Sequence, residues 1–255
     1  MKLTKRNYFS RKANTLFYSA SQIKSFMDCP ARTMAELKGE YVREFSTALL
    51  VGSYVDAYFD GKRAFNAFVK NNPEIFKRDG TLKAEYIKAD EMIQRAEQDE
   101  IFMAFMQGQK QVIKTGTILG HPFKIKMDIY QPGVRIVDLK TVRDMEPMYK
   151  PEHGRVSFAE YWNWPLQMAI YQAVEGNNLP TYLNVITKEN PVNIAVIEIP
   201  QHSIDAELEV LSEKMPYFDA IKTGIIEPER CEKCAYCRLT NVLTGAISLD
   251  DYSEI

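Results

Sequence analysis

Apolar and polar residues alternate most strictly across residues 120–141, GHPFKIKMDIYQPGVRIVDLKT. Ile125, Met127 and Ile129 interleave with Lys124, Lys126 and Asp128, which predicts a strand over 123–130. A second strand is predicted over 135–140, with Val137 and Leu139 on one face and Ile136, Asp138 and Lys140 on the other. Pro132-Gly133 marks the turn between them. Residues opposite one another in an antiparallel pair point to the same face, so the parity of the loop decides what the hairpin presents. A two-residue loop would put Asp128 and Asp138 on opposite faces. An odd loop over 131–133 pairs Asp128 with Ile136 and projects Lys126, Asp128, Asp138 and Lys140 from one face, with Gly133 suited to the left-handed position that ends such a loop. Pro132 is not ideal in the middle of a type I turn, which leaves a five-residue loop of the same parity equally open. We expect an odd loop of either length, which sets the two carboxylates on a diagonal roughly 7–8 Å apart at Cβ, close enough to share a cation.

The rest of the pattern alternates helix and strand. Ser19 fits an N-cap with Gln22 completing a capping box and Tyr18 and Ile23 the flanking staple. This helix carries Ile23, Phe26 and Met27, meets Cys29-Pro30, and gives way to a second helix over 31–37 that ends near Gly39. A helix over 47–59 places Gly52 and Asp56 on one face. Residues 62–110 are polar and helical in character, with a break at Asn72-Pro73 and one or two amphipathic helices over 82–105. A strand at 111–119 leads into the hairpin. After it comes a helix over 158–174, with Pro165 in its first turn or kinking it, on which Gln167 and Tyr171 share a face. Strands at 182–187 and 193–199 and a closing helix over 202–221, broken at Pro216, complete the series. The fold class is α/β (α+β), a central mixed sheet flanked by helices.

Composition narrows this further. A chain of 255 residues, 45% hydrophobic and 26% charged, has the size of one globular domain, here 1–255 with 62–110 as a helical insertion. A net charge of −2 excludes a histone-like basic binder, so contact with nucleic acid would come from local patches. Residues 1–12 carry Lys2, Lys5, Arg6, Arg11 and Lys12 and no acid, and read either as a solvated tail or as a phosphate-contacting arm. No apolar run approaches the ~18 residues of a membrane span. The basic N-terminus lacks the apolar core of a signal peptide, so a cytoplasmic protein is expected. Trp162 and Trp164 are packing residues or platforms for base stacking. His121, His153 and His202 are scattered without ligand spacing.

The succession of Asp128, about ten residues, and then the hydrophobic-D-L-K-T of VDLKT resembles the PD-(D/E)XK nuclease superfamily, in particular its RecB-like and RecE-like (exonuclease VIII, phage exonuclease) branch. The Ser-led helix ending at Cys29-Pro30, GSYVD at 52–56 and LQMAIY at 166–171 are similar to further motifs of that branch. The resemblance implies that Asp128 and Asp138 bind Mg²⁺ or Mn²⁺ and that Lys140 assists the attacking water. It implies that Asp56, in the place of the family's His or Glu, is a further metal ligand, and that Gln167 and Tyr171 position substrate and lysine. It implies a DNA exonuclease acting on linear duplex ends, from a phage or prophage recombination or repair system in the host cytoplasm, with a single-strand annealing protein as partner and homo-oligomerisation open. The rival expectation is a non-catalytic or structure-specific DNA-binding module that keeps the fold and a structural metal site.

Cys231, Cys234 and Cys237 form C-x₂-C-x₂-C, and Cys29 is the remaining cysteine. Three thiolates within seven residues resemble ferredoxin-like runs, whereas structural zinc more often uses two separated pairs. The residues leave open an iron–sulfur cluster, zinc or free thiols. In AddB-type and CRISPR adaptation nucleases one N-terminal and three C-terminal cysteines hold a [4Fe–4S] cluster, and the resemblance implies the same here, with structural Zn²⁺ as the alternative.

Overall fold

The computed structural model describes residues 1–249 other than 45, 152, 244 and 247, so the last residues of the 1–255 span lie outside the described residues. Helices α1 (Arg11–Leu16), α2 (Ala20–Asp28), α3 (Pro30–Lys38), α4 (Thr47–Phe59), α5 (Lys62–Asn71), α6 (Ala84–Glu97) and α7 (Glu100–Phe105) precede the first strand. Strands β1 (Gln109–Ile118), β2 (His121–Gln131) and β3 (Arg135–Val142) follow, then a small hairpin of β4 (Met148–Lys150) and β5 (Gly154–Val156). Next come α8 (Phe158–Tyr161), α9 (Trp164–Glu175), β6 (Thr181–Thr187), β7 (Ile194–Ile199), α10 (Gln201–Lys222) and α11 (Ala235–Leu239). The main sheet has five strands in the order β1-β2-β3-β6-β7. It is mixed: β3 and β6 run parallel, joined through α9, and the other neighbours are antiparallel.

A mixed sheet covered on both faces needs two apolar layers, and the chain builds both. One core gathers Phe123, Ile125, Met127 and Ile136 beneath α2, α9 and α10. The other gathers Ile129, Val137, Leu139 and Ile186 beneath α4, α6 and α7. Helix α9 lies deepest, with Leu166, Met168, Ala169 and Ile170 fully buried. Removing a side chain such as Ile170 to its Cβ would cost about 2–5 kcal/mol. Helix α4 approaches β3 at Gly52, where an added Cβ would stand 3.1 Å from Thr141 Oγ1. The span 62–110 supplies α5, a 3-10 turn at Pro73–Ile75, α6 and α7, whose apolar faces roof the second core.

Several local expectations change. The Ser19 hydroxyl accepts from the Gln22 backbone, but the Gln22 side chain donates to Asn14 O and accepts from Lys222, so only half of the capping box forms. The single helix over 158–174 is two helices, divided at Asn163, which takes the left-handed conformation (φ 50°). Ser157 and Glu160 form a complete capping box ahead of α8, and Pro165 sits in the first turn of α9, where no backbone donor is needed. Helix α10 runs unbroken through Pro216, because Leu211, Met215, Phe218 and Ile221 bury one face on both sides of it. The N-terminal segment is anchored: Tyr8 is buried, and Lys124 donates to Tyr8 O and Asn14 Oδ1. Lys124 is therefore a buried tie and not a surface cation.

Candidate active site

Strands β2 and β3 pair at Gln131–Arg135, Tyr130–Ile136 and Ile129–Val137. The loop is therefore 132–134, one residue later than expected but still odd, with Gly133 left-handed (φ 71°). Continued one step, this register sets Asp128 opposite Asp138 and not on a diagonal. The step is special on both sides. Pairs with β1 run from Lys110–Ile129 to Val112–Met127, passing over Gln111, which is left-handed (φ 54°). Core membership changes phase here too: Met127 packs in the first core, Ile129 in the second and Tyr130 in the first.

Asp128 thus sits in the mouth of a fork. Its carboxylate, in place of a strand partner, accepts from the Leu139 backbone N–H at 3.1 Å through Oδ2 and from Gln111 Nε2 at 3.1 Å through Oδ1. Asp138, only 2% exposed, accepts from Gln167 Nε2 at 2.8 Å through Oδ1. Its Oδ2 faces the Lys140 ammonium as an ion pair but has no aligned hydrogen-bond donor. Gln167 stays in register by donating to the Tyr171 hydroxyl at 3.3 Å, which donates to Lys126 O at 2.9 Å. Lys140 lies over the Trp164 ring at 5.2 Å and donates to Gln167 Oε1 at 3.4 Å. Asp56 comes from α4, one turn beyond Gly52. With Asp60, Lys110, Gln111 and Asp128 it lines a cavity of about 10 Å³, room for roughly one water or one ion.

The charges of these residues act on one another. Burial, then Asp138 and Asp56, hold the Asp128 carboxyl well above its ordinary value. Burial, with Asp138 and Asp60, pushes Asp56 up to about 7 against the pull of Lys140 and Lys126. For Lys140 burial works downward, but Asp138, Asp128 and Asp56 outweigh it and hold the ammonium above its ordinary value. Tyr171 is raised well beyond the usual phenol range by burial, then Asp138 and Asp128. Such a crowd of acids is unfavourable unless cations accompany it. The donor set of carboxylate oxygens, with only the Lys140 ammonium against Asp138 Oδ2, fits a hard divalent cation. Among the described residues the three carboxylates do not all lie within 4.8 Å of one another, so they form a loose set around Lys140 and not a closed cage.

Three participants carry no motif. Lys24 of α2 donates to Gln167 Oε1 at 3.2 Å and to Trp162 O at 3.2 Å, and burial and Lys140 lower its ammonium to about 7. Gln111 orients Asp128, and Asp60 joins the cavity. Trp164 is buried as packing, whereas Trp162 is 50% exposed at the rim. Away from this site, Cys29, Cys231, Cys234 and Cys237 come together with all four sulfurs within 4.8 Å of one another.

Comparison with known proteins agrees with this architecture. A crystal structure of a candidate exonuclease from Eubacterium rectale superposes with a TM-score of 0.95 at 40% identity, covering 99% of this chain and 98% of that one. A second solved chain, SSO0001, reaches a TM-score of 0.32 at 13% identity over 89% of this chain and 98% of its own, too distant to bear on the argument. No curated protein matches. The family described as a PDDEXK-like domain of unknown function (DUF3799) matches residues 19–240. With the forked hairpin and five-stranded mixed sheet in place, the chain belongs to that PDDEXK-like family.

Proposed function

We propose that this protein is a divalent-metal-dependent deoxyribonuclease that removes nucleotides from the ends of linear duplex DNA. The observation that carries the reading is the buried group of Asp56, Asp128 and Asp138 around Lys140 and Gln167. Asp128 and Asp138 would hold Mg²⁺ or Mn²⁺, with Asp56 as a further ligand. When bound, such an ion activates a water and offsets charge on the phosphoryl and leaving oxygens. The protein's own groups then have distinct tasks. Lys140, paired with Asp138 and bonded to Gln167, would orient the attacking water or offset charge on the phosphoryl group. Gln167, pinned by Tyr171, fixes the orientation of Asp138 and Lys140. Lys24, bonded to Gln167, and Lys126, near enough to act on Asp56, would supply cations to a DNA backbone, and Trp162 would offer an exposed ring to a terminal base.

Exonucleolytic rather than internal cleavage is supported by the designation of the Eubacterium rectale protein as a candidate exonuclease, at 40% identity over nearly the whole chain. The same reading places the enzyme in phage or prophage recombination or repair, alongside a strand-annealing protein, with 62–110 an insertion that buttresses α4. The test is digestion of linear and covalently closed circular duplex with Mg²⁺, Mn²⁺ or EDTA. Release of nucleotides from the linear substrate alone, abolished by EDTA, is expected. Binding without hydrolysis would favour a DNA-binding module, and cleavage of the closed circle would make the enzyme an endonuclease.

A further inference from the structure

The four cysteines stand apart from the acidic site and join segments distant in sequence. Cys29 caps α2 and α3, Cys231 precedes α11, Cys234 is the N-cap of α11, and Cys237 lies within it. Cys29 and Cys237 are fully buried. All four are free thiols, and the Cys29–Cys237 and Cys231–Cys237 sulfur separations are 3.6 and 4.0 Å, too long for disulfides. Backbone N–H groups aim at the sulfurs: Arg32 N at Cys29, Cys234 N at Cys231 and Cys237 N at Cys234, at 3.4, 3.4 and 3.5 Å. Such donors stabilise thiolates and fix their direction, as outer-shell groups of a metal site do.

The separations discriminate between metal centres. Four sulfurs on one tetrahedral ion, each at about 2.3 Å, stand about 3.8 Å apart. A [4Fe–4S] cluster takes each thiolate on a different iron, which spreads the sulfurs to roughly 6 Å. Here no pair exceeds 4.8 Å, so the set closes too tightly for a cubane and matches a single ion. We infer that Cys29, Cys231, Cys234 and Cys237 hold one tetrahedral zinc(II), where the resemblance to AddB-type nucleases implies an iron–sulfur cluster.

The ion has a structural task. Around it the apolar cluster contains little beyond the cysteines, Ala31 and Tyr236. Apart from the cysteines, the contacts tying the segment that carries α11 to the N-terminal region include the Ala31 N–Glu229 O bond at 2.9 Å and the Tyr41–Tyr236 ring contact. A tetrathiolate centre closes this seam and contributes folding stability, with proton release on binding.

The experiment is metal and acid-labile sulfide analysis of the whole protein purified without oxygen, with an absorption spectrum and a Cys234→Ser variant alongside. About one zinc per chain is expected, with no sulfide and no band near 400 nm. Protein grown with cobalt should show the ligand-field bands of tetrahedral S₄ cobalt(II), and Cys234→Ser should lose the metal with a Tm fall of at least about 5 °C. Iron with stoichiometric sulfide, iron without sulfide, or metal-free protein of unchanged Tm would each overturn the assignment. The wild-type metal content decides the matter even if the variant fails to fold.

Discussion

Asp128 and Lys140 carry the argument at the scale of single residues. Parity of the hairpin loop was readable from Pro132-Gly133 and the flanking alternation, and it makes Asp128 and Asp138 neighbours. Asp128's position in a fork was not readable, because it depends on Gln111 taking a left-handed conformation that nothing in its neighbours demands. Lys24 was equally hidden: a lysine on an amphipathic helix gives no sign that tertiary packing will bring it to Gln167. Lys140 stands against Asp138 and Gln167, where its amine would meet water or phosphate in the proposed reaction. Lys140→Met should lower the cleavage rate by roughly 10²–10³-fold while leaving Mn²⁺ affinity intact, measured as single-turnover rates beside metal titrations. Loss of metal binding in this variant would instead make the lysine part of the cation site.

At the scale of elements, α4 and α9 deliver the side chains. Gly52 lets α4 lie against β3, with an added Cβ only 3.1 Å from Thr141 Oγ1. Gly52→Leu should push the helix away, lower stability by about 1–3 kcal/mol and carry Asp56 from the site, read as a joint fall in Tm and activity. Helix α9 is tied to β1 and β2 at its far end, where Glu175 accepts from Tyr130 at 2.7 Å and Lys114 at 3.0 Å. Burial would raise the Glu175 carboxyl, but bonds from Tyr130, Asn177 and Lys114 outweigh it and take it down to about 2. A depressed carboxyl contributes stability above its ordinary value, and that contribution is lost as pH falls toward the depressed one. Glu175→Gln should therefore cost about 1–3 kcal/mol at pH 7 in urea unfolding, with the difference shrinking from about pH 4.5 to about pH 2. Most elements were legible in the hydrophobic pattern. The division at Asn163 and the unbroken α10 were not, since one depends on a left-handed residue and the other on burial overriding a proline.

Across the whole molecule, two cores on opposite faces of one sheet clamp β2 and β3 so that acids can be buried where the strands part. The four-cysteine seam lies at a separate place, so loss of its metal and loss of the acidic site are distinguishable. Among the described residues, no helix is long and apolar enough to cross a membrane. The order of helices and strands was legible in the alternation; the joining of α11 to α3 was foreshadowed only by four cysteines, because few other residues make that contact. The central claim is that Asp128 and Asp138 serve one divalent-ion site. Calorimetric titration of the wild type, Asp128→Asn and Asp138→Asn with Mn²⁺ tests it most directly. Saturable binding by the wild type that either substitution weakens at least about tenfold, about 1.4 kcal/mol, is expected. Unchanged Mn²⁺ affinity in either variant would contradict it.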